Sequence, residues 1–273
     1  RKESHNKRRQ TGLILKYEFM LNKEEIKRYH ENGYIIPDFQ MPEDDLLEIE
    51  RLHNNLIKNY PKFLNYCPAI LEYEEKFLKY CFNEKILNYV EQIIGNNFAL
   101  WNSSFFAKPA YNGHATPWHQ DGQYWPIRPL ATCTVWLAVD DANEENGCLK
   151  FIKGSHKDKK LKKHELNKDK NLTLHQELLQ SEYNENKSVN LILKRGQISL
   201  HDVYLVHGSD ANSSSKSRRG MTMRFMPTTS VFDHNLAKEK YNNLNVSKYS
   251  NRKIYLARGY DKSKKNDLAI VNF

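Results

Sequence analysis

The sequence predicts an antiparallel β-barrel or jelly roll braced by N-terminal helices. Three observations carry that reading. Apolar residues recur at helical spacing through most of the first hundred residues. From residue 97 the pattern changes to short β-branched and aromatic runs, divided by Gly, Pro and Asn turns with no helix between them. Within that β region, "TPWHQDGQYW" (116–125) holds a histidine and an aspartate one residue apart, and His201 and His207 follow far down the chain.

The first helix is "LNKEEIKRYHENGY". Asn22 caps it, Glu25 completes a capping box three residues on, and Asn32-Gly33 ends it. "MPEDDLLEIERLHNNLIKNY" is the second, with Pro42 and acidic residues in its first turn and Leu46, Ile49, Leu52, Leu56 and Ile57 on one face. "YEEKFLKYCF" and "NEKILNYVEQIIG" give a third and a fourth, the last closed by Gly95. "FALWNSSFFAKPA" is a strand stopped at Pro109. "TCTVWLAVDDA" is too apolar for an exposed edge, and "NEENGCLKFIKGSH" returns from it through an Asn-Gly turn as a hairpin. Two strands flank Arg195-Gly196, and "RRGMTMRFMPT" is another, ended by Pro227. The polar stretch 155–188 is either a lid or a loop insertion. In the tail, "LAKEKYNNLNVSKYS" is helical in part, and "KIYLARGY" is a short strand or a segment packed on the barrel mouth.

The 273 residues suffice for one large domain with a real core. We read residues 20–273 as that domain: a helical part at 20–96, a jelly-roll core at 97–230 and a C-terminal segment at 231–273. Met20 resembles a natural start, so residues 1–19 read as a tag or non-native extension. The formal charge of +9 is concentrated in that tail and in "HKDKKLKKHELNKDK" (156–170), the pattern of a solvated surface. No recognition motif accompanies it, which argues against nucleic acid as a partner. No run approaches transmembrane length. Cys67, Cys81, Cys133 and Cys148 are scattered without a CxxC, which fits reduced, buried thiols in a cytoplasm.

On a strand, His119 and Asp121 would face the same way and reach one metal ion. The pair alone is a weak signal and needs a third ligand, from His201 or His207. His207 precedes Gly208-Ser209 at a strand end, and Arg218 opens the next strand eleven positions on, a spacing that suits a hairpin with the guanidinium deeper in the same cavity. His201, followed by Asp202, reads as a packed or hydrogen-bonded residue beside the site. Two imidazoles and a carboxylate on one face of an octahedral ion leave three positions open, which favours a non-haem Fe(II) oxygenase over a four-coordinate zinc site. An arginine fork suits the distal carboxylate of a dicarboxylate chelator, so 2-oxoglutarate is the co-substrate implied.

Taken together, "EEIKRYHENGYIIPDF", "WHQDGQYWPIRP", "TVWLAVDDANEENGCLKFIKGSHK", "GQISLHDVYLVHGS" and the His207-to-Arg218 spacing resemble the phytanoyl-CoA dioxygenase (PhyH-like) family of Fe(II)/2-oxoglutarate oxygenases, over roughly residues 22–227. The resemblance implies a double-stranded β-helix (jelly roll, cupin-like). By position it carries the iron triad onto His119, Asp121 and His207 and the 2-oxoglutarate clamp onto Arg218, with Ser209 and Trp136 as helpers. It implies oxidative decarboxylation of 2-oxoglutarate by O₂ to succinate and CO₂, coupled to substrate oxidation. Related halogenases lack the carboxylate that Asp121 provides, so hydroxylation is expected.

Lys108 and Asn102 are further candidates for the co-substrate, against surface and structural roles. Gln123, Tyr124, Trp125, Arg128 and Tyr204 are candidates for the substrate, although "YWPIRP" reads equally as a structural turn. Arg224 shares parity with Arg218 on its strand and is a candidate second anion contact. The family acts on acyl-CoAs, amino acids, osmolytes, phosphonates and natural-product intermediates. No CoA-binding motif is legible, so a small polar or anionic metabolite is the preferred substrate, with an acyl-CoA as the alternative. A non-catalytic metal-binding jelly roll is the competing class.

Overall fold

A computed structural model of the chain describes residues 20–244, 248 and 251–271; the reading of residues 1–19 as an extension lies outside the described residues. Helix α1 (Lys23–Asn32) begins at Asn22, whose side chain accepts from the Glu25 N–H while the Glu25 carboxylate accepts from the Asn22 N–H. Gly33, at φ 86°, closes it. Strand β1 (Tyr34–Ile35) leads to α2 (Glu43–Asn59), with Leu46, Ile49, Leu52 and Leu56 buried. Strand β2 (Tyr66–Cys67) and a single turn at Leu78–Cys81 precede α3 (Glu84–Ile94), which Asn83 caps and Gly95 ends.

The remaining chain is mainly strand. In order come β3 (Phe98–Lys108), β4 (Thr116–His119), β5 (Ile127–Arg128) and β6 (Cys133–Ala138). Then follow β7 (Leu149–Ile152), β8 (His164–Leu166), β9 (Gln176–Leu178) and β10 (Ser188–Leu191). They are succeeded by β11 (Ile198–Asp202), β12 (His207–Ser209), β13 (Arg218–Pro227) and β14 (Val231–Phe232). Helix α4 (His234–Leu244), β15 (Ile254–Arg258) and β16 (Leu268–Ala269) complete the described fold. The large sheet runs β1-β11-β6-β13-β3-β15-β16, with β2 also on β3, and the small sheet runs β10-β7-β12-β4.

Strand parity divides the large sheet into two faces. Phe105, Val135, Leu137, Met221, Met223 and Phe225 pack with Leu46, Ile49 and Leu52 of α2 in the principal core. The alternate residues of those strands face the small sheet, where Trp136 and Ala138 meet Leu149, Phe151 and Leu191. Between the sheets the apolar packing gives way to polar side chains around the site described below. Arg195 pairs with Glu43 and Glu50, and Arg219 with Glu50 and Asp140, so charge also ties α2 to the barrel.

Two expected hairpins are not hairpins. Strands β6 and β7, on either side of the Asn146-Gly147 turn, belong to different sheets, as do β12 and β13. Stacked sheets lie roughly 10 Å apart, and a tight turn cannot span that gap. The loop between β6 and β7 instead folds on itself, with Asn146 bonded to Asn143 and to the Asp141 carbonyl. The polar stretch 155–188 carries the β8–β9 pair and two 3₁₀ turns rather than structureless loop.

His53 on α2 yields a prediction. It is 2% exposed, stacks on Phe105 at 4.2 Å, and neither ring nitrogen has a hydrogen-bond partner among the described residues. Burial, with Arg219 adding to it, pulls its pKa from 6.5 to about 4. The unfolded chain therefore binds this proton first. Stability is full above pH 6.5, falls between 6.5 and about 4, and loses about 3 kcal/mol across that window. Urea midpoints of His53→Phe should lack that acid slope; an unchanged slope would remove His53 as its source.

Candidate metal centre

His119 ends β4 and stands directly opposite His207 at the start of β12, with ring centroids 4.1 Å apart. Past His119 the chain leaves the sheet, so Asp121 is not on a strand as expected but opens a 3₁₀ turn, Asp121–Gln123. Gln120 fixes that departure. It is fully buried, donates to the Tyr204 and Lys160 carbonyls, and accepts from the Lys162 N–H. The turn brings Asp121 back so that Oδ1 lies 3.6 Å from His119 Nε2 and 3.8 Å from His207 Nε2. One ligand atom from each of the three buried residues lies within 4.8 Å of the others.

The tautomers decide what this cluster can hold. His119 Nδ1 lies 2.7 Å from the Pro117 carbonyl, and His207 Nδ1 lies 2.9 Å from the Leu205 carbonyl. A carbonyl only accepts, so each Nδ1 carries the proton and each Nε2 presents a lone pair. Two lone pairs then face a carboxylate oxygen at distances too long for hydrogen bonds. A cation between them converts this arrangement from repulsive to attractive, and backbone orientation of ligand imidazoles is the usual outer support of metal sites. The donor set, two nitrogens and one carboxylate on one side of the cavity, fits Fe(II) with positions left open.

Burial opposes ionisation of Asp121, but positive charge around it, on His119, His201 and His207 when they are protonated and on nearby Arg224, holds its carboxyl well below the ordinary range. Burial and the adjacent His119 push His207 well below the ordinary imidazole value. His201 Nε2 lies 3.6 Å from Asp121 Oδ2, the oxygen turned away from the other two imidazoles, and the Thr134 hydroxyl lies 3.4 Å from it.

Arg218, 1% exposed, lines the same cavity. Its Nε and Nη2 donate to the Gly147 carbonyl at 3.1 and 3.0 Å, and Nη1 donates to the Phe106 carbonyl. No carboxylate lies within 4 Å of it among the described residues. Burial lowers its pKa to about 10, which leaves it charged at neutral pH. Its guanidinium lies over Trp136, 5.4 Å from the ring centre. Gly220 makes room for that indole: a Cβ there would stand 2.0 Å from Trp136 Cζ2. Gly220→Ala should therefore cost about 1–3 kcal/mol through overpacking and weaken anion binding at Arg218. Denaturant midpoints and oxoacid affinity measured together check this, and an unperturbed variant would contradict it.

The other sequence-predicted residues lie at varying distances from this centre. Trp136 lines the cavity. Ser209 is buried opposite Thr116, and its hydroxyl lacks a partner among the described residues. The structure does not bring Lys108 to the cavity: its ammonium is held by the His114 and Asp210 carbonyls, and burial with the nearby Arg218 charge lowers its pKa well below the usual lysine value. Asn102 lines a different, larger cavity of about 860 Å³ and donates to Ser104 and the Pro68 carbonyl. Tyr124 packs edge-on to His119, and its hydroxyl donates to the Gln176 carbonyl. Gln123 reaches the Gln176 side chain, and Trp125 is buried against Trp101. Arg128 is exposed and folded onto the Trp125 and Ile127 carbonyls, while Tyr204 reaches the Leu130 carbonyl. None of these five lines the metal cavity. Thr116, Thr134 and Thr222 do, and sequence reasoning did not single them out. Parity with Trp136 and Arg218 was the available signal for Thr134 and Thr222.

A family model described as phytanoyl-CoA dioxygenase (PhyH) matches residues 20–220. The human protein named phytanoyl-CoA dioxygenase, peroxisomal, is 28% identical over 236 residues, covering 76% of this chain and 68% of that protein. A phytanoyl-CoA dioxygenase domain-containing protein 1 homolog of Caenorhabditis elegans is 29% identical over 216 residues, covering 76% and 69%. Among solved structures, apo ThoJ, a non-heme monooxygenase, superposes with a TM-score of 0.68 at 18% identity, over 90% of this chain and 87% of that one. The epimerase SnoN, solved with Fe3+, alpha ketoglutarate and nogalamycin RO, gives 0.64 at 18%, over 77% and 85%. These two share the jelly-roll fold. A match that runs from the first described helix into β13 and includes all three clustered ligands places this chain in the phytanoyl-CoA dioxygenase (PhyH) family of dioxygenases.

Proposed function

We propose that this chain is an Fe(II)- and 2-oxoglutarate-dependent hydroxylase that oxidises an unactivated C–H bond of a small metabolite and releases succinate and CO₂. The observation that carries the reading is the pair of Nε2 lone pairs converging on the Asp121 carboxylate beside an arginine that no carboxylate among the described residues neutralises. His119, Asp121 and His207 hold the ion. When bound, Fe(II) supplies the redox chemistry that couples O₂ and 2-oxoglutarate to substrate oxidation. Arg218 receives the distal carboxylate of 2-oxoglutarate, with Trp136 flanking its guanidinium and the Ser209 hydroxyl beside the path. The free space beside the triad is only about 20 Å³, so the cavity must widen to admit a dicarboxylate, for which Arg218 keeps two of its five N–H donors. Asp121 would hold the ion through the carboxylate that related halogenases lack, which favours hydroxylation over halogenation.

Among the described residues no helix is long and apolar enough to cross a membrane. All four cysteines are free, and burial raises the Cys67 and Cys81 thiols to about 12. This supports a reducing compartment, and we place the protein in the cytoplasm on that ground.

The test is succinate release by protein stripped with a chelator under argon and reloaded. Fe(II) and 2-oxoglutarate together should restore slow, substrate-independent succinate formation once air is admitted, and Zn(II) should not. Metal binding with no oxoacid binding and no succinate would instead support a non-catalytic jelly roll.

A further inference from the structure

A second buried arginine lies in the same cavity. Arg224 sits on β13 six residues beyond Arg218, with the same parity, and is 4% exposed. Its Nη1 donates to the Ser104 hydroxyl, and its Nε has no partner among the described residues. Trp125 and Phe106 flank the guanidinium, at 5.1 and 5.9 Å from their ring centres. No carboxylate lies within 4 Å of it among the described residues. Arg195, Arg219 and Arg258 are each matched by two carboxylates. A buried charge without a counter-ion is costly and is retained where an incoming group supplies the opposite charge.

The place of Arg224 separates it from Arg218. Its charge reaches Asp121. It is also linked to the 860 Å³ cavity, because the Ser104 hydroxyl that receives it also accepts from Asn102, and Asn102 lines that cavity and accepts from Arg252. The Asn102–Ser104–Arg224 row of the large sheet is thus a buried wall between the large cavity and the metal cavity, which share no lining residue. The register shift between Arg224 and Phe225 thickens that wall: Arg224 pairs with Asn102 and Phe225 with Leu100, which leaves Trp101 out of the ladder and packed on Trp125.

We infer that the substrate bears a free carboxylate that docks on Arg224 inside the metal cavity, which positions the neighbouring carbon skeleton against the metal centre. This deepens, and rests on, the hydroxylase reading. It makes the substrate a carboxylic acid rather than its thioester, because a thioester carries no charge where the guanidinium stands. One planar fork between two aromatic rings suits a single carboxylate.

The experiment uses matched neutral and anionic probes, hexanoate against hexanamide and benzoate against benzamide, titrated by tryptophan fluorescence into the full chain. It is done metal-free and again under argon with Fe(II) and saturating 2-oxoglutarate. Both acids should bind at least tenfold more tightly than their amides, and saturating 2-oxoglutarate should leave that preference in place because Arg218 is then occupied. Arg224→Gln should bring the ratio to near one, and Arg224→Lys should keep part of it. Equal binding of acid and amide by the wild-type chain overturns the inference without reference to any variant. So does a preference that survives Arg224→Gln, or one that 2-oxoglutarate abolishes. If the reloaded wild-type protein forms no succinate while the acid preference on Arg224 persists, the hydroxylase reading fails and the anion site stands.

Discussion

Replacing His207 with alanine is expected to abolish Fe(II)-dependent succinate formation and to weaken iron binding by more than about 100-fold. Outer partners of metal ligands alone control about 10–100-fold in affinity or activity, and His207 is placed to be a ligand itself. Its Nδ1 proton is committed to the Leu205 carbonyl, so its Nε2 has no other role than to face the ion. His201 lies 5.1 Å from it, ring to ring, and 3.6 Å from the opposite Asp121 oxygen. A replacement ligand is thus close by, which sharpens the test. If His201 substituted for the lost imidazole, His207→Ala would keep measurable turnover, and the assignment of the third ligand to β12 would be wrong. Iron content after gel filtration and succinate yield, read on the same sample, separate the outcomes.

The second large effect belongs to Arg218. Arg218→Met should weaken 2-oxoglutarate by about 10²–10⁴-fold: two hydrogen bonds from a charged donor contribute about 1.5–3 kcal/mol each, and about 1.4 kcal/mol corresponds to a factor of ten. Arg218→Lys keeps the charge without the fork and should recover only part of the loss. Iron affinity should be little changed in either, because the guanidinium touches none of the three ligands. The guanidinium also serves the Gly147 and Phe106 carbonyls, so a melting curve accompanies each variant. Unaltered 2-oxoglutarate affinity in a folded Arg218→Met protein would move the clamp elsewhere, with Arg224 the nearest alternative.

The fold was legible wherever local signals agreed with tertiary ones. The Asn22–Glu25 capping box, the positive-φ glycines at 33 and 95, and the strand stops at Pro109 and Pro227 all sit where their chemistry requires. What failed was pairing. Asn146-Gly147 is a strong turn signal, but a turn does not say whether the next strand joins the same sheet, and in a jelly roll it crosses to the other. The site was legible in part for the same reason. His119, His207 and Arg218 lie at strand termini that sequence patterns locate, parity with Arg218 placed Arg224 inward, and the family resemblance named Trp136. Asp121 lies in the cluster by a different route from the one expected, through a 3₁₀ turn anchored by Gln120. Lys108 illustrates the limit: a lysine beside a strand end looks available for an anion, yet its ammonium is held by two backbone carbonyls that no sequence pattern reveals.

The most direct measurement is a crystal structure of the chain grown anaerobically with Fe(II) and 2-oxoglutarate, with anomalous scattering recorded at the iron edge. One iron peak is expected within about 2 Å of His119 Nε2, His207 Nε2 and an Asp121 oxygen, distances typical of nitrogen and oxygen ligands. The distal carboxylate of 2-oxoglutarate should lie on the Arg218 guanidinium. An iron peak away from Asp121, or an oxoacid bound with its distal carboxylate away from Arg218, would contradict this assignment.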